Sequence, residues 1–195
     1  MKNRYLVALI SLLGLALVPG IASAHTVLGM SSGGFAAGLS HPFSGLDHML
    51  AMFTVGLWAA TLGGSASWKV PTAFVVMLLV GALLGMAGVQ LPLVESVIAL
   101  SVLVLGLTVT LALQVPASAG IVLVGLFAMF HGHAHGTELP EAVSGYMYLL
   151  GMTLASVVLH LSGFGIGHFL KQRQWLLRSG GALIAGAGVW LVASL

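Results

Sequence analysis

"SHPFSGLDHMLAMFTVGLWAATLGG", Ser40 to Gly64, is the stretch that decides the fold. From residue 46 to residue 63 it is almost wholly apolar, and Gly63-Gly64 closes the run. An apolar run of this length with a single charge at its start reads as a helix that crosses a membrane. Its entrance is polar, with His41, the chain's one aspartate Asp47, and His48. Pro42 and Gly45 predict a turn there. Ser44 is a good helix N-cap, and Asp47 three residues later has capping-box spacing. A carboxylate in a first turn is also favoured by the helix dipole. That reading accounts for Asp47 but not for His41 or His48. His48 falls inside the helix, where a charged group costs about 2.5–3.5 kcal/mol near the bilayer centre. Such residues are usually paired and face an interior path.

The rest of the chain agrees. Only 5% of its 195 residues are charged, against about 25% in soluble domains, and the mean hydropathy is +1.13. The expectation is an all-α polytopic membrane bundle in the lipid bilayer. Six cations are too few for a nucleic-acid face, and with no cysteine there are no disulfides or thiolate sites. The opening "MKNRYLVALISLLGLALVPGIASAH" has Lys2 and Arg4, an apolar core and Ala22-Ser23-Ala24. This is the pattern of a secretory signal peptide. Residues 1–24 therefore read as signal peptide and 25–195 as a single transmembrane helical domain. Cleavage exposes His25, whose amine and imidazole can chelate a metal together.

Six spans are expected, near 46–63, 70–88, 93–113, 117–134, 143–169 and 176–194, with 26–40 as a re-entrant or interfacial helix. Lys69 and the group Lys171, Arg173 and Arg178 fall in loops on one side. The positive-inside rule makes that side the cytoplasm. Both mature termini are then periplasmic, in a bacterial inner membrane. Glycine pairs at i, i+4 (Gly34/Gly38, Gly81/Gly85, Gly163/Gly167) predict close helix packing.

Eight histidines outnumber four acidic residues. "FHGHAHG", Phe130 to Gly136, places His131 and His135 on one helix face and His133 on another. By the expected topology this cluster and the Asp47 motif end at the same membrane face. His160 falls mid-helix and His168 two turns further in. Imidazoles with a carboxylate and no thiolate suit Ni, Co, Zn or Cu(II). The metal candidates are His41, Asp47, His48, His131, His135, His160 and His25.

"GFAAGLSHPFSGLDHMLAMFTVGLWAA", "FHGHAHG" and "GMTLASVVLHLSGFGIG" together resemble the HupE/UreJ family of bacterial membrane proteins. His41, Pro42, Gly45, Asp47 and His48 match its HPxxGxDH element. The resemblance implies uptake of nickel, in some members cobalt, for hydrogenase or urease maturation. It implies that His41, Asp47 and His48 bind the ion, and supports His131 and His135 less directly. The cargo is then Ni2+ or Co2+, with no organic cofactor; a homo-oligomer stays open. Two alternatives stand: a metal-binding sensor or accessory protein without transport, and an intramembrane metal-dependent hydrolase. The hydrolase is weak on letters alone. Gly132 occupies the place of the HExxH base, and "GMSSG" at 29–33 lacks the strand–turn–helix setting of a nucleophile elbow.

Overall fold

A computed structural model describes residues 33–140 and 143–195. The expected signal peptide, His25 and most of "GMSSG" lie outside the described residues. Seven helices follow in order: α1 Gly33–Ser44, α2 Leu46–Leu62, α3 Ala66–Met86, α4 Val94–Thr110, α5 Ala117–Thr137, α6 Gly145–Leu170 and α7 Gln174–Ala193. No strand occurs among the described residues. Four helices, α3, α5, α6 and α7, are long and apolar enough to span a membrane. The α1–α2 pair, bent by 84°, makes a fifth if it is one broken span. The expected count of six is therefore not reached on length and composition. The shortfall is α4, whose 17 residues cover about 26 Å at 1.5 Å each, short of a hydrocarbon core of about 30 Å.

The bundle is apolar outside and carries polar side chains within its apolar core. Val122, Leu161, Leu183 and Trp190 are exposed, whereas Thr54, Ser101, Thr108, Ser156 and five histidines are buried. An apolar surface with the few polar side chains turned inward suits lipid as the surrounding solvent. All six paired glycines lie against a neighbouring helix's backbone or its flanking residue. On α5, a Cβ at Gly132 would overlap the Leu78 carbonyl, and one at Gly136 the Ala82 carbonyl. Those two absent side chains let α5 lie directly on α3, and they flank His133 and His135.

Chain direction sorts the charges. α2 runs parallel to α6, with Gly56 against the His160 carbonyl and Ala60 against Gly167. Lys69, just beyond α2, and Lys171, at the end of α6, therefore share one end of the bundle. Arg178 belongs to the same end, where its Nε–H donates to the Thr110 carbonyl at 2.9 Å. Asp47, Glu95 and Glu138 line a cavity at the other end.

Candidate metal centre

The break at Gly45 builds the first half of the site. Gly45 is extended (φ −104°, ψ 124°) and is itself the N-cap of α2. Ser44 does not cap; its hydroxyl donates back to the His41 carbonyl at 2.6 Å. The chain does not turn at Pro42 either, which is buried in the last turn of α1. The capping-box reading of Asp47 is thus replaced by another role. Asp47 Oδ1 accepts the His48 backbone N–H at 2.7 Å and the His48 Nδ1–H at 2.8 Å. A carboxylate that accepts the Nδ1–H hydrogen bond leaves Nε2 with its lone pair free, an arrangement typical of metal-binding histidine. His48 Nε2 is buried without a hydrogen-bond partner.

The second half comes from α5. The rings of His48 and His131 lie 4.7 Å apart, those of His48 and His135 4.4 Å, and those of His41 and His135 4.7 Å. Three helices thus bring four imidazoles into one cluster. His131 and His135 are fully buried. His131 Nδ1 and both ring nitrogens of His135 have no hydrogen-bond partner. The spacing argument holds for His133 as well: it faces away, and its Nε2–H donates to the Val89 carbonyl at 2.6 Å. The rings pack edge to face or tilted. Accordingly, among the described residues no three His, Asp or Glu side chains are already arranged to hold a metal ion. The donors are gathered; a coordination shell is not formed.

Above the cluster lies a cavity of about 240 Å³ lined by His41, Ser44, Gly45, Asp47, His48, Glu95 and Glu138. His41 Nε2 meets Glu138 Oε2 at 2.9 Å. Three of the chain's four carboxylates face this cavity, which makes it attractive to cations. Below the cluster, Phe74 is fully buried. Its ring lies 5.9 Å from His131 and 5.0 Å from His160. His160 Nδ1–H donates to the Ser156 carbonyl at 2.6 Å, and its Nε2 is buried and unpartnered. A second, mostly apolar cavity of about 410 Å³ begins at His160 and is lined also by Ser67, Trp68, Thr72 and Phe164. His160 is therefore not part of the outer cluster. His168 stacks on Phe164 at 6.2 Å and touches none of the cluster.

Comparison with known proteins agrees with the motifs. The model of the family described as "HupE / UreJ protein" matches residues 13–191. The chain belongs to the HupE/UreJ family. It is 46% identical over 177 residues to the protein HupE of Rhizobium leguminosarum bv. viciae, covering 90% of this chain and 92% of that one. No solved structure matches. For this HupE/UreJ chain, sequence reasoning named His41, Asp47, His48, His131 and His135 as candidates, and the fold places all five side chains close together. It missed Glu95 and Glu138 as cavity walls, although carboxylates this scarce beside apolar spans were a usable signal. It also missed Phe74 and Ser101, whose types are ordinary in apolar helices.

Proposed function

We propose that this protein carries a divalent transition-metal ion, nickel first and cobalt second, inward across the bacterial inner membrane for hydrogenase or urease maturation. One observation carries the reading: imidazoles from α1, α2 and α5 share one cluster, with buried, unpartnered nitrogens on α2 and α5 beneath an acidic cavity. A hydrated ion enters past Glu95 and Glu138. It exchanges water for His48, His131 and His135, with His41 and Asp47 at the rim. Imidazole suits borderline ions of this class. The rings must turn from packing on each other to facing the ion, so part of the binding energy is spent on rearrangement. Binding is then moderate, as release on the far side requires.

The onward step passes Phe74 to His160, whose free Nε2 is the next donor. The Lys69, Lys171 and Arg178 end is cytoplasmic by the positive-inside rule, so the cluster is periplasmic. Family membership and the carboxylate–histidine pair favour transport over hydrolysis. Purified protein in liposomes with a nickel-sensitive dye inside tests the reading. Dye response to external nickel, lost in His48→Ala, supports it. Tight binding without flux would turn the reading to a sensor or accessory protein.

A further inference from the structure

Ser101, on α4, is fully buried and makes two close polar contacts. Its Oγ lies 2.6 Å from the Ile98 carbonyl oxygen and 2.8 Å from His131 Nε2. A hydroxyl has one hydrogen, and a carbonyl oxygen has none. Two oxygens at 2.6 Å need a hydrogen between them, so the serine proton is committed to Ile98. The contact with His131 then needs its own hydrogen, which only the ring can supply. His131 Nε2 therefore carries the proton and donates it to Ser101. In a neutral imidazole the other nitrogen, Nδ1, keeps the lone pair, and that atom is the buried one without a partner.

We propose that Ser101 is a positioning residue that holds His131 in its Nε2–H form and so makes Nδ1 its ion-binding atom. This rests on the cluster being the ion site. Ser101 does for His131 what Asp47 does for His48, by the opposite ring nitrogen: one partner engages Nε2, the other Nδ1. The two ligands are thus presented through different atoms, His48 through Nε2 and His131 through Nδ1. A backbone-anchored hydroxyl carries no charge, so it orders the ring without adding to the site's negative field. Outer partners of ligating histidines matter nearly as much as the ligands.

The test uses full-length protein in detergent with 15N-labelled histidine. The 15N shifts distinguish protonated from bare ring nitrogens, with His131 assigned by its loss in His131→Gln. The metal-free protein is expected to show His131 protonated at Nε2 alone. Ser101→Ala should mix the two forms and weaken Ni2+ binding about 10- to 100-fold by calorimetry, with the His133 signals unchanged. Ser101→Thr, which keeps the hydroxyl, should restore a single form. A proton on Nδ1 of His131 in the unsubstituted protein overturns the proposal, as does unaltered nickel affinity in Ser101→Ala. The first result with nickel still bound removes this proposal alone. Failure of the unsubstituted protein to bind nickel removes the ion-site reading with it.

Discussion

Replacing Asp47 by asparagine removes one charge and almost no volume. Asparagine can still place an oxygen where Oδ1 accepts the His48 amide and Nδ1–H at 2.7 and 2.8 Å. What is lost is the ionic character of those bonds. Hydrogen bonds to charged groups stabilise by about 1.5–3 kcal/mol and neutral ones by about 0.5–1.5 kcal/mol. The hold on the His48 ring therefore weakens by about 1–1.5 kcal/mol, roughly tenfold in an equilibrium constant. A divalent cation also loses a nearby counter-charge, so the fall in affinity should lie within about 10- to 100-fold. Alanine is worse, because it leaves the part-buried His48 Nδ1–H without its partner, at about 1–3 kcal/mol. Radioactive nickel uptake against concentration, with membrane levels checked by immunoblot, reads this out. The apparent KM should rise at least about tenfold in Asp47→Asn and further in Asp47→Ala. An asparagine variant of normal abundance with an unchanged KM would refute the reasoning, as would an alanine variant that outperforms it.

Other outcomes follow from the same geometry. Nickel affinity should fall as pH falls, because only neutral imidazole binds metal; calorimetry should also show proton release on binding, and an affinity flat from neutral to acid pH would contradict the ligand set. Gly132→Leu should force α5 off α3 and cost at least the about 1–3 kcal/mol of overpacking, seen as a lower melting temperature together with reduced uptake. Glu95→Gln should raise the KM for nickel more at low than at high ionic strength, because its charge acts across a solvated cavity. His168→Ala should impair uptake far less than His48→Ala, since His168 touches only Phe164 among the aromatic and histidine rings; equal losses would show that the path is misplaced.

The helices were legible because apolar runs between Gly, Pro and Lys/Arg breaks leave little choice in lipid. Their bounds fell within a few residues; α3 opens earlier than expected, at Ala66, with Pro71 inside it. The pairing of His131 with His135 was legible from helical periodicity alone. Their meeting with His48 followed from topology, since both motifs sit at like ends of their helices. Pro42 misled, because α1 runs through it and breaks only at Gly45. The capping pattern of Ser44 and Asp47 misled, since it and a side-chain bond to the next histidine share the same letters. Phe74 and Ser101 were not legible. Each acts by a contact between helices, and no spacing within one helix records its partner on another.

The central claim is that imidazoles from separate helices form the ion site. Nickel K-edge X-ray absorption on the purified, nickel-loaded protein tests it most directly. The account predicts imidazole in the nickel shell, reduced in His48→Ala and in His135→Ala. A shell of oxygen donors alone, or one that neither substitution changes, would contradict it.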